Sequence, residues 1–233
     1  RTFCSGTETS GTMMRSTFAD LPRRRGVPYV VATLEITVNA DGLRPDPSPP
    51  PQALTAATPA WPANDATIRA LAARITSGKA TNTARADALL AWLAPGTNLK
   101  YSGQTGSRWG VTKVLEQKFG HCWDFADVFV TLARASGVPC REVAGWLYGG
   151  SGHVWAEYYV EGKGWRQVDP TGGGMLGCGI YHIPYFTTDN GVMPILYLAL
   201  PPLLWASNAI VGRMSVAGGA PLVSPLTLNA LRW

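Results

Sequence analysis

The chain has 233 residues, of which 46% are hydrophobic and 10% aromatic, with nine tryptophans, and only 15% are charged. This excludes a disordered chain, which needs low hydrophobicity and high charge, and the length suits one large domain or one domain with a small appendage. The net charge of +5 is scattered along the chain and calls for no nucleic-acid partner.

The densest basic run is Arg23-Arg24-Arg25, with Arg15 nearby. It could form a patch for nucleic acid or anionic lipid, but a solvated turn before Gly26 and Pro28 is the preferred reading. Residues 28–39 alternate as a strand does and end in the turn Asn39-Ala40-Asp41-Gly42. Residues 44–63 are proline-rich, including Pro49-Pro50-Pro51, and read as an extended connector laid over the surface. From Asn64 the pattern turns helical. Asp65 is a candidate cap, and Ile68, Leu71, Ala72 and Ile75 fall on one face before Gly78. Further helices are expected over 83–93 and 110–118, and then a buried one over 122–135 that Ser136-Gly137 and Pro139 terminate. Strands are expected at 140–148, 153–160 and 164–169, the last two joined by the hairpin turn Glu161-Gly162-Lys163-Gly164. Residues 180–233 read as further strands. Within them the longest apolar stretch, Val192 to Trp205, is broken by Pro194, Pro201 and Pro202, well short of the roughly 18 residues of a membrane span. Helices first and an antiparallel sheet afterwards is an α+β arrangement. The expected division is residues 1–63, a strand segment with its connector, and 64–233, the functional domain. The chain opens at Arg1, as a processed or trimmed product would, with any signal peptide already gone.

Three residues carry the candidate chemistry. Cys122 opens the apolar helix, where unpaired N–H groups and the helix dipole favour thiolate; a buried, inert cysteine beside Trp123 and Phe125 would suit the same position. His153 starts an alternating strand after a glycine-rich loop and can take a proton from a nearby thiol. Asp169 ends the next strand, and the hairpin between them brings it toward His153, where a carboxylate would orient the imidazole. Taken alone, His153 also reads as a loop histidine and Asp169-Pro170-Thr171 as an ordinary turn. Jointly they make a narrow signal.

Four blocks in order extend that signal. Gly120-His121-Cys122-Trp123-Asp124-Phe125-Ala126 resembles the Gly-Gln-Cys-Trp-x-Phe-Ala signature of the transglutaminase core. Gly137-Val138-Pro139-Cys140-Arg141 is similar to its Gly-Ile-Pro-x-Arg step. His153-Val154-Trp155-Ala156-Glu157 resembles its His-x-Trp-x-Glu strand, and Gly164 to Thr171 its Gly-Trp-x-x-x-Asp-Pro-Thr ending. The resemblance covers about residues 84–180. It implies a papain-like α+β fold with helices packed on an antiparallel sheet, flanked by N- and C-terminal β segments, and a Cys122–His153–Asp169 triad. It also implies an oxyanion donor in Trp109, with Tyr101 as a weaker substitute, beside the backbone N–H of Cys122. Trp123 and Trp155, with Trp109, are expected to line the substrate site. His121 and Asp124 depart from the family pattern.

The resemblance implies acyl transfer through a thioester, from a protein or peptide glutamine to a primary amine. Hydrolysis of amides by the same triad, or a binding module that kept the fold, are the alternatives. No cofactor is called for. No C-x-x-C pair exists, His121, Cys122, Cys178 and His182 lack zinc-site spacing, and no acidic loop of EF-hand type suggests calcium. With Cys122 free, at most one disulfide can form. Cys140 suits a small buried position, so Cys4–Cys178 is the pairing to test, and finding it would favour an exported protein.

Overall fold

The computed structural model describes residues 42–147, 152–172, 178 and 182–192, together with the strand segments 6–10, 13–17, 23–25, 27–28, 31–38, 209–216 and 226–228. The chain divides into two units: residues 39–192, and residues 1–38 with 193–233. The larger unit thus begins at residue 39, ahead of the residue 64 suggested by the sequence, and ends at residue 192.

The smaller unit contains β1 (Gly6–Ser10), β2 (Met13–Thr17), β3 (Arg23–Arg24), β4 (Val27–Pro28) and β5 (Val31–Val38). The arginine run falls at the β3–β4 hairpin, with Arg25 in the left-handed region at φ 52° and exposed. The larger unit comprises β6 (Leu43–Pro45), α1 (Ala66–Ile75), α2 (Asn82–Leu93), β7 (Lys100–Tyr101), α3 (Val111–Gln117), β8 (Phe119–Gly120), α4 (Cys122–Ala135), β9 (Cys140–Leu147), β10 (Gly152–Val160), β11 (Gly164–Val168) and β12 (His182–Thr188). Two more strands, β13 (Ala209–Val216) and β14 (Leu226–Leu228), join β5 in the smaller unit, β13 parallel to it. The stretch 193–205 lies outside the described residues. Among the described residues no helix is long and apolar enough to cross a membrane.

Local chemistry sets the helix ends. The Asp65 carboxylate accepts the N–H of Ile68 at 3.0 Å, and the Thr81 hydroxyl accepts that of Ala84 at 3.1 Å. Both satisfy donors that a helix start leaves unpaired. On α2, Ala86, Leu89, Leu90 and Leu93 form one buried stripe. The α4 helix is buried on nearly all sides because α1, α2 and α3 cover it on one side and the sheet on the other. Phe125, Phe129 and Leu132 share a core with Ala156, Tyr158 and Val168.

The sheet is antiparallel, in the order β12-β9-β10-β11-β6. Its last strand comes from the segment read as a surface connector. That segment is not merely laid over the surface: Leu43–Pro45 pairs with β11, Leu54 packs on Tyr159 and Trp165, and Trp61 is wholly buried. A proline is tolerated in such a strand because an outer edge needs no N–H from it. Gly164, at φ 132°, lets the β10–β11 turn pass against the backbone of Arg44, where a Cβ would collide with the Arg44 carbonyl. Burial of a few large side chains drives this docking, and so few residues leave no periodic trace in the sequence.

Candidate active site

The α4 N-terminus and the β9–β10–β11 sheet converge at one point. Cys122 is the first residue of α4, preceded by His121 in extended conformation at φ −106°. His153 lies in β10, and continuing the β10–β11 register beyond Ala156↔Val168 sets Asp169 opposite Trp155, one step diagonal from His153. Cys122, His153 and Asp169 are all buried. His153 Nε2 donates to Asp169 Oδ2 at 2.8 Å, leaving Nδ1 for the thiol side, where Cys122 adjoins the imidazole. The other carboxylate oxygen of Asp169 accepts from the Thr171 N–H at 2.9 Å and the Thr171 hydroxyl at 2.7 Å.

These contacts shift both titrating groups. Burial lowers the pKa of His153, but the bond to Asp169 and the neighbouring Cys122 outweigh it and push the imidazole up to about 9. Burial acts to raise that of Asp169, yet the N–H groups of His153 and His182 and the Thr171 donors hold it well below the usual carboxylate range.

The aromatic residues take different positions from one another. Trp109 is 49% exposed and lines a surface cavity of about 550 Å³ with Pro59, Pro62 and Lys113. Trp123 donates its indole N–H to Glu142 at 3.0 Å and carries the Arg108 guanidinium over its ring. Trp155 has no exposed surface. Its N–H goes to Gln167 at 2.9 Å, and its ring stacks on His153 with centroids 6.0 Å apart. Trp155 is fully buried and Trp123 half-buried, and the indole N–H of each is committed to a protein acceptor. The Tyr101 hydroxyl adjoins Cys122 and hydrogen-bonds His121 Nδ1 at 3.2 Å. Burial, then the charges of Cys122 and Asp169, raises the pKa of that phenol.

His121 and Asp124, the departures from the family pattern, have structural roles. Buried Asp124 accepts the His121 N–H at 2.9 Å, the Ser107 hydroxyl at 2.7 Å and the Trp109 N–H at 2.8 Å. It thereby caps α4 and ties down the loop before α3. A second network lies beneath. Arg108 donates to Asp127 at 2.8 and 2.7 Å and to Glu142 at 3.3 Å, and the Trp61 N–H reaches Asp127 at 2.7 Å. Sequence reading missed this network and also His182, which donates Nε2–H to Asp169 Oδ2 at 2.9 Å. The available signal for His182 was a histidine opening a strand shortly after the Asp-Pro-Thr block.

His153, Asp169 and His182 bring three donor atoms within 4.8 Å of one another. The two imidazole N–H groups on one carboxylate account for that convergence without a metal. Cys140 and Cys178 are free and buried, and burial pushes the Cys140 thiol up to about 12 and that of Cys178 well above its ordinary value. Cys178 is thus unpaired here, and Cys4 lies outside the described residues.

Residues 69–170 match the model of the transglutaminase-like superfamily. The chain is 31% identical over 133 residues to a protein-glutamine gamma-glutamyltransferase of Pseudomonas aeruginosa, covering 52% of this chain and 16% of that one. It is 30% identical over 77 residues to YebA of Bacillus subtilis, an uncharacterized protein, covering 26% of this chain and 10% of that one. The chain thus spans a small part of the curated relatives it matches. Among solved structures it is similar to a candidate cysteine protease from Cytophaga hutchinsonii, with a TM-score of 0.52 at 20% identity, covering 65% of this chain and 52% of that one. That likeness extends to the fold: helices packed on a curled antiparallel sheet. With an α+β core in which one helix presents Cys122 to a strand-borne His153 and Asp169, residues 69–170 of this chain are similar to the transglutaminase-like superfamily.

Proposed function

We propose that the chain is a cysteine acyltransferase that forms a thioester with a glutamine side chain of a protein or peptide and passes the acyl group to a primary amine. The observation that carries this reading is His153 held between Asp169, at 2.8 Å, and Cys122. The Cys122 sulfur attacks the carboxamide carbon, and the C–O π electrons move to oxygen. The backbone N–H of Cys122 stabilises that oxyanion with a side-chain donor. Tyr101, beside the thiol, suits the donor role better than the more exposed Trp109, which fits the substrate approach. The C–N bond then breaks, His153 gives its proton to the departing nitrogen, and ammonia leaves a thioester. An incoming amine attacks the thioester and loses a proton to His153, the C–S bond breaks, and the thiolate–imidazolium pair is restored. Asp169 holds the imidazole orientation throughout and stabilises its cation.

Water in place of the amine would make the same centre a hydrolase, and a silent centre would leave a binding module. One assay separates them: incubation with a glutamine-bearing protein and a labelled primary amine, following label and ammonia. Incorporated label with ammonia supports the transferase. Ammonia alone supports the hydrolase, and neither supports the binding module. Full activity in Cys122→Ala would rule out the mechanism.

A further inference from the structure

Asp169 Oδ2 accepts two imidazole N–H groups, from His153 at 2.8 Å and from His182 at 2.9 Å. The two rings belong to β10 and β12, the strands on either side of β9, and Trp155 packs against both, its ring meeting His182 edge-on at 5.1 Å. His182 is mostly buried, and its Nδ1 has no partner among the described residues. Its Nε2–H is the donor to Asp169, since a carboxylate can only accept, and no acceptor among the described residues calls for a second N–H at Nδ1.

Two donors on one oxygen share its charge, and each bond is weaker than it would be alone. We infer that His182 is a positioning residue that draws part of the Asp169 charge away from His153 and so loosens the hold of the carboxylate on the imidazole proton. The consequence is chemical. A buried carboxylate whose Oδ2 served His153 alone would hold the imidazolium more tightly and release its proton to a departing amine less readily, because a general acid works best when its pKa lies near the operating pH. With Oδ2 divided between two rings, His153 keeps its orientation and gives up the proton more readily. The other titratable groups near the pair are Cys122 and His121 at the α4 start, Tyr101 on β7 and Cys178. His182 alone among them hydrogen-bonds the carboxylate that His153 uses.

The catalytic meaning rests on the proposed roles of Cys122 and His153, but the test does not need turnover. The chain has three histidines, at 121, 153 and 182, so imidazole resonances can be assigned by NMR in the full chain with single His→Gln variants. His182→Phe keeps a ring against Trp155 and removes the donor, whereas His182→Gln keeps a donor. In His182→Phe the titration midpoint of His153 should rise by about 0.5–1 pH unit, and in His182→Gln it should stay near that of the wild type. The alkaline limb of amine incorporation should move with it. A midpoint that stays or falls in His182→Phe overturns the role. Should that variant not fold, the wild type decides: nitrogen shifts of His182 typical of the Nδ1–H tautomer would equally overturn it. A shifted midpoint without any turnover would leave the tuning intact and sink the transferase reading instead.

Discussion

The Asp124 carboxylate, on the first turn of the Cys122 helix, receives the backbone N–H of Trp109 at 2.8 Å. One buried acid thereby caps the helix that begins at Cys122 and holds the loop that carries the exposed indole. Asp124→Ala would strand three donors, two of them backbone or hydroxyl groups of that loop. A loss of about 3 kcal/mol in urea unfolding is expected, with a marked fall in amine incorporation. Asn should recover part of the stability, since its single oxygen accepts only some of these bonds. A variant as stable as the wild type would show that the loop is held elsewhere.

The pH profile follows from His153. Its proton is held to about pH 9, raised by Asp169 and Cys122 against the opposing effect of burial. Chemistry that needs the imidazolium is therefore complete below that value and lost as pH rises through it. Asp169→Asn removes the main raising influence, so the alkaline limb should fall toward or below roughly 6.5, the ordinary imidazole value. Rates of amine incorporation measured from pH 5 to 10 check this. A limb unmoved in Asp169→Asn would mean that another group sets it.

Glu142 and Asp127 share one cation, Arg108, in a buried setting. Burial first, and then the neighbouring Asp127 charge, raise the Glu142 carboxyl well above its usual range, which favours its protonated form. Glu142→Gln, which mimics that protonated form, should change unfolding free energy by less than about 1 kcal/mol. Arg108→Met leaves Asp127 buried without its counter-charge and should cost about 3 kcal/mol or more. Urea melts of the two variants decide the point, and the reverse ranking would place the charge on Glu142.

Gly145 stands opposite His153 in the β9–β10 ladder, and a Cβ there would collide with the Trp155 ring and the Ile183 carbonyl. Gly145→Ala should displace the indole on which His153 stacks. A fall in kcat of about tenfold is expected from a misaligned base, with folding retained by circular dichroism. Unchanged kcat would show that His153 is aligned by Asp169 alone.

Much of this was written locally in the chain. The start of α4 at Cys122, its end at Ser136-Gly137, the three central strands and the hairpin that carries Asp169 toward His153 follow from apolar spacing, caps and glycine turns, which act over a few residues. The motif order made the superfamily legible as well. What only the tertiary structure decided lies at long sequence separation. Pairing of Leu43–Pro45 with β11 joins residues about 120 apart, Trp61 meets Asp127 across 66 positions, and His182 reaches Asp169 only because β12 docks beside β9. No period marks such contacts, since each depends on sheet order and on burial of a single side chain rather than on a repeating pattern. The three residues that the structure brings together, Cys122, His153 and Asp169, could thus be named from the sequence. The groups that hold and tune them emerged only when distant strands came together around one carboxylate.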